Sequence, residues 1–155
     1  MASQDGVIIE QESAVELRQL FVLWGDLLRM HHPPLAHLPA RTAVHARTTA
    51  AWTTAELEQT VTGFAALLDP RQAVQLVVDR EVDIRPRLPR IITPTVVLAS
   101  GQDRIIEIDE QRAVAAAIPR AEYREFDAGH ALPAEDSAGF VEVVAEFLGR
   151  HRISA

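Results

Sequence analysis

Three features of this 155-residue sequence point to an α/β protein. Residues up to about 80 carry only helical patterns. "PTVVLAS", residues 94–100, is a short apolar, β-branched run bounded by Pro94 and Gly101. After it, a helical stretch leads to "AEYREFDA", residues 121–128, which alternates as a second strand does. Strand, helix, strand, helix is the unit of a parallel sheet.

The helical part reads in four pieces. Ser13 with Glu16 fits a capping box that opens the first helix. Val15, Leu20, Phe21, Leu23, Trp24, Leu27 and Leu28 then give it a broad apolar face. "HHPPLAHLP" interrupts it, because proline lacks an N–H and restricts the residue before it. A second helix is expected over 39–51, with Pro39 in its first turn. Thr53 and Glu56 form another capping box, opening a helix that carries Leu57, Val61, Phe64, Ala65 and Leu68. Asp69-Pro70 reads as a cap followed by a first-turn proline. The fourth helix is expected to reach about Val78, with Ala73, Val74, Val77 and Val78 inward.

The expected division is a helical cap-like region at 1–80, a connector at 81–93 and a β-α-β-α unit at 94–155. The connector is charged and proline-broken, with room for a short helical turn. Strand 94–100 reads as buried on both faces. The next helix is expected over 109–118, capped by Asp109. Tyr123 packs on one face of the second strand, and Ser137 or Asp136 caps the last helix. Phe140, Val144, Phe147 and Leu148 recur there at helical spacing.

Composition narrows the functions. Hydrophobic residues make up 48% and charged residues 24%, ordinary globular usage. The net charge is −7 and no basic run stands out, which argues against nucleic acid or an anionic membrane as partner. Without cysteine there is no disulfide, thiolate nucleophile or Cys-based metal site. The first residues do not read as a signal peptide, and no apolar stretch is long enough to span a bilayer. A soluble cytoplasmic protein is expected. His31, His32 and His37 invite a metal reading, but the adjacent rings would point apart on a helix and no nearby carboxylate completes a site. No metal and no cofactor are predicted.

In an open parallel sheet, functional groups sit beyond the carboxyl ends of the strands. Asp103 follows the first strand by three residues, and His130 follows the second by two. If the strands are neighbours, both side chains emerge on one rim. A carboxylate beside an imidazole fixes its tautomer and makes it a usable general base.

"LPRIITPTVVLASGQDRI" followed by "IPRAEYREFDAGHALPAEDSAGFVEVVAEFLG" resembles the C-terminal half of the α/β-hydrolase family. The matching features are Ile91 to Thr95 entering the strand, Gly101 to Asp103 after it, and Gly129-His130 before a terminal amphipathic helix. The helical block 13–78 resembles the cap that many members insert between their two halves. The resemblance implies a partial α/β-hydrolase fold, with Asp103 the acid and His130 the base of a catalytic triad. It also implies a hydrophobic small molecule as ligand, with Trp24, Met30, Trp52 and Phe64 as candidate pocket-lining residues.

The family's nucleophile sits in "G-x-S-x-G" at a strained strand-to-helix turn, and this sequence has no such motif. "EDSAG", 135–139, lacks the first glycine and opens the last helix, so Ser137 reads as a cap; Ser100 ends a strand. Three readings stay open for this truncated hydrolase-like sequence. It is one half of a split hydrolase, acting on an ester or thioester when another chain supplies the serine. Or it is a repurposed cyclase- or isomerase-type enzyme using His130 as base without a covalent step. Or it is a non-catalytic binding or structural protein, or a non-functional fragment. In each, the open edge of strand 94–100 invites pairing, and self-association or binding of a complementary N-terminal-half chain is expected through that edge or the face of the cap.

Overall fold

A computed structural model describes residues 18–151. The capping box at Ser13 and the inward Val15 lie outside the described residues. Chain packing sorts the described residues into two compact units: 18–38 with 59–82, and 39–58 with 83–151.

The first unit is helical. Helix α1 runs over 18–29 and ends where the sequence places "HHPP". His31 takes a left-handed conformation, φ 51°. The His32 amide then reaches the Leu27 carbonyl and the His31 amide the Leu28 carbonyl, each at 3.1 Å. Those two bonds close the helix by satisfying carbonyls that would otherwise be orphaned. A 3-10 turn follows at Pro33–Ala36. Leu28, Leu35 and Ala73 form the core, with Trp24, Leu27, Leu38, Leu68 and Leu76 packed against it. Leu23, expected on the inner face, is 54% exposed.

Residues 59–82 contribute most of helix α4 (Thr54–Leu67) and all of α5 (Ala73–Glu81). Asp69 caps the 3-10 turn Pro70–Gln72 that leads into α5, in a reciprocal box with Gln72. The inward face of α5 is Ala73 and Leu76 with half-buried Val77. Val74 and Val78 are exposed, contrary to the sequence expectation. The apolar positions of α5 nearly encircle it, so sequence periodicity did not select the stripe that Ala73 fixes by burying deepest.

The second unit carries the sheet. The single helix expected over 39–51 is two: α2 (His37–Thr42, which begins in the first unit) and α3 (Ala46–Ala51). Between them the backbone turns to other partners. The Ala43 carbonyl accepts from the Ala131 amide at 2.8 Å, and the His45 ring Nδ1 accepts from the Arg47 amide at 2.8 Å, capping α3. Tertiary hydrogen bonds outweigh helix propensity here. Thr53 and Glu56 close the expected capping box at the start of α4, at 2.7 and 3.3 Å.

A 3-10 turn at Arg85–Arg90 fills the connector and buries Leu88. Strands β1 (Val96–Ser100) and β2 (Glu122–Phe126) pair in parallel, Val96 opposite Glu122 through Ser100 opposite Phe126. Helix α6 (Ile108–Ala117) connects them. Glu107, not Asp109, holds its cap position, without a side-chain bond; Asp109 instead pairs with Arg112 at 3.0 Å. Helices α7 (Leu132–Glu135) and α8 (Ser137–Arg150) follow. Asp136 caps α8 by accepting from the Gly139 amide at 3.0 Å, while the Ser137 hydroxyl donates to the Pro133 carbonyl at 2.7 Å.

Among the described residues the sheet has two strands. Glu122 donates its amide to the Thr95 carbonyl and Phe126 accepts from the Gly101 amide, so odd-numbered residues of β1 face β2. The backbones of Val96, Leu98 and Ser100 therefore face the other edge. The Gln111 carboxamide covers the last of these, accepting from the Ser100 amide at 2.9 Å and donating to its carbonyl at 3.2 Å. Ala99 and Ser100 are buried, whereas Val96 to Leu98 are only half-buried, short of the two-sided burial expected. β2 holds charges along its length, including Glu122, Arg124 and Glu125. No described helix is long and apolar enough to cross a membrane.

Candidate active site

The rim beyond the strand ends is built by two loops. After β1 the Gly101 and Gln102 amides bond to the Phe126 and Ala128 carbonyls, at 2.8 and 2.9 Å, carrying the pairing past the strand. The chain then turns back, the Asp103 amide reaching the Ser100 carbonyl at 3.2 Å. One oxygen of the Asp103 carboxylate accepts from the Ile105 and Ile106 amides, at 2.8 and 3.0 Å. This is the local turn bonding that aspartate favours. The other oxygen meets His130 Nδ1 at 2.9 Å. The Asp103 side chain is 6% exposed and that of His130 is 46% exposed.

A carboxylate only accepts, so Nδ1 carries the hydrogen of that bond. In the neutral ring the lone pair is then on Nε2, which makes no hydrogen bond among the described residues. That is the tautomer a general base needs. Burial would raise the Asp103 carboxyl, but the His130 bond and the Ile106 and Ile105 amides outweigh it and hold it below its ordinary value. The Asp103 bond lifts the His130 imidazole above its ordinary 6.5, burial opposes this, and the Asp103 charge adds to it.

His130 stabilises the fold fully below about pH 6.5 and loses that contribution as pH rises through its raised value. Asp103 contributes above its ordinary 3.8 and loses this as pH falls through its lowered value. An NMR titration of the His130 ring is expected to show a midpoint above 6.5, returned toward 6.5 by Asp103→Asn. A midpoint at or below 6.5 in the parent chain would contradict the pairing.

The loop that presents His130 is held from several sides. The Glu135 carboxylate accepts from the Gly129 amide at 3.0 Å and from the His45 amide at 2.8 Å. His45 Nδ1 is occupied by the Arg47 amide, so its Nε2–H points to Asp127, at 3.3 Å, and Arg47 pairs with the same carboxylate at 3.1 Å. The His45 hydrogen bond, with the Arg47 charge, holds the Asp127 carboxyl below its ordinary value.

Sequence reasoning singled out neither His45 nor Glu135. Glu135 stands five residues after His130, a spacing that was legible. His45 lies 82 residues from Asp127 and 90 from Glu135, and nothing local announces that contact.

The other singled-out residues divide between the two units. Trp24, Met30 and Phe64 belong to the first unit and Trp52 to the second. Trp24 packs half-buried on the first unit's core, Met30 is 70% exposed, and Phe64 is half-buried. Trp52 follows α3, half-buried. A cavity of about 180 Å³ in the first unit is lined by Leu27, Leu28, His31, Leu35 and Leu68 among others, and by none of the first unit's three candidates. His31, His32 and His37 are exposed. Among the described residues no group of three or more His, Asp or Glu side chains is placed to hold a metal. Ser100 is buried and makes no hydrogen bond to His130.

No protein-family model matches the sequence. The chain is 25% identical over 139 residues to the pyrrolizixenacetamide deacetylase of Xenorhabdus hominickii, covering 88% of this chain and 52% of that protein. It superposes with a TM-score of 0.73 on MGS-M2, an α/β hydrolase enzyme from a Medee basin deep-sea metagenome library. That match has 21% identity and covers 90% of this chain and 53% of the other. The enol-lactonase from Burkholderia xenovorans LB400 gives the same TM-score at 25% identity, over 84% of this chain and 50% of the lactonase. The chain thus spans about half the length of each of these proteins.

Proposed function

Since this chain is a partial α/β-hydrolase fold, corresponding to the family's C-terminal half, we propose that Asp103 and His130 are the acid and base of a split active site. The observation that carries the reading is the 2.9 Å bond from His130 Nδ1 to an Asp103 carboxylate otherwise held by two amides. It fixes the ring and leaves Nε2 open toward a hydroxyl nucleophile. The serine comes from a G-x-S-x-G turn in the half of the fold this sequence does not span, which a second chain can supply, and the reaction is hydrolysis of an ester or thioester of a hydrophobic small molecule. Deacetylase and enol-lactonase, the activities that two similar proteins are named for, support an acyl-type substrate. The setting is cytoplasmic, with neither nucleic acid nor membrane as partner.

The second chain docks on the outer edge of β1, where the Val96 and Leu98 backbones face away from β2. An apolar edge strand is a template for pairing, while a charged one discourages it. "VVLAS" of β1 is the first kind and "EYREF" of β2 the second. The same edge is the proposed site of self-association when no complementary chain is present.

The test is reconstitution. Expressed with an N-terminal half bearing G-x-S-x-G, this chain is expected to form a stable complex that hydrolyses p-nitrophenyl butyrate, with neither half active alone. By itself at micromolar concentration it is expected to run as a dimer or larger in light scattering. A monodisperse monomer that captures no such half, or a complex without esterase activity, would overturn the proposal.

A further inference from the structure

The two members of the Asp103–His130 pair are anchored differently. Asp103 is anchored within its own turn, by the Ile105 and Ile106 amides. His130 follows Gly129, whose amide is held by Glu135. The second oxygen of Glu135 holds the His45 amide. One carboxylate thus ties the backbone beside the base to a segment 85 positions upstream of it (130 − 45).

The approach is close. A Cβ at position 129 would lie 2.6 Å from the His45 nitrogen and 2.9 Å from the Val44 carbonyl carbon. On the other side of His130, the Ala131 amide bonds to the Ala43 carbonyl at 2.8 Å. Asp127, at the loop's start, meets both His45 and Arg47. Segment 43–47 therefore backs the histidine loop from end to end, and Glu135 bonds to both. Where Nδ1 falls relative to the fixed Asp103 oxygen depends on this clamp, because backbone position at 129–130 sets where the ring can reach.

We infer that Glu135 is a positioning residue for His130: by bridging the Gly129 and His45 amides it keeps the imidazole on Asp103. The inference rests on the proposed role of His130 as base. It also makes segment 43–47 part of the active-site support, so that displacing that segment displaces the base. Glu135 itself touches neither ring nor substrate.

The test reads the His130 ring directly by NMR, in the whole chain and without substrate. Glu135→Gln keeps the shape but offers one accepting oxygen for two amides. Its His130 midpoint is expected to fall toward that of Asp103→Asn, and the Gly129 or His45 amide resonance to move upfield. Adding Glu135→Gln to Asp103→Asn is expected to lower the midpoint no further. If Glu135→Gln does not give a dispersed spectrum, Glu135→Asp, which withdraws the carboxylate by one methylene, is read in the same way. A folded variant whose amide resonances move while the His130 midpoint stays at the parent value would overturn the positioning role. So would an additive fall in the double variant. An Asp103→Asn chain with an unmoved His130 midpoint would instead sink the acid–base reading itself, whatever Glu135 does.

Discussion

In the reconstituted complex, His130→Ala is expected to lower kcat for p-nitrophenyl butyrate by about 10³-fold or more, with a smaller change in KM. The imidazole is the group that takes the hydroxyl proton as the acyl bond is attacked, and alanine leaves no acceptor at that point. Asp103→Asn is expected to act through the same ring. Its carbonyl can still accept from the Ile105 and Ile106 amides, which turns the amide NH₂ toward His130 Nδ1. Nδ1 must then accept, and the proton moves to Nε2, the wrong tautomer for a base. Both substitutions are expected to leave complex formation intact, because neither residue lies on the outer edge of β1. Steady-state kinetics beside a light-scattering measurement of the complex check this. Activity retained within about tenfold in His130→Ala would remove the base from the account.

Gly129→Ala is the second large effect. Gly129 does not need a left-handed backbone; no described glycine has positive φ. It is required for space. A methyl group there would meet the His45 nitrogen at 2.6 Å, and both the Val44 carbonyl carbon and a Glu135 oxygen at 2.9 Å. Two of those three contacts are backbone, so relief requires moving segment 44–45 or the histidine loop. Either movement breaks the Glu135 bridge. The expected cost is about 2–3 kcal/mol of unfolding free energy, in the range of overpacking a tight site. Gly63→Ala is the control: a Cβ there would have nothing within 4 Å, it sits inside α4, and it is expected to stabilise by about 0.5–1 kcal/mol. Urea unfolding curves of the two variants, with unchanged slope, check both values. Equal stability of Gly129→Ala and parent would show that the fold does not need the close approach of segment 44–45 to Gly129.

What was legible in the sequence was local. Thr53 with Glu56, and Asp69 before Pro70, marked helix starts because capping is a matter of three or four residues. The two strands stood out through β-branched content and alternation, and their parallel pairing followed from the intervening helix. Asp103 and His130 were readable because residues just past neighbouring parallel strands share a rim.

What was not legible depended on distant partners. The break at 43–45 inside an otherwise helical run exists because Ala43 bonds to Ala131 and His45 to Glu135. Glu135 stood in view five residues after His130, but nothing local marked its partners. Its role shows only once the Gly129 and His45 amides are seen to converge on it. The requirement for glycine in "AGH" is of the same kind, a close approach by a segment far away in sequence.

The most direct measurement is the site labelled by a fluorophosphonate probe, located by mass spectrometry in the reconstituted complex. The expected result is a label on the G-x-S-x-G serine of the second chain, present with the parent and lost with His130→Ala. A label on Ser100 or Ser137 of this chain, or labelling of the second chain at the same rate with His130→Ala, would contradict a split site built on Asp103 and His130.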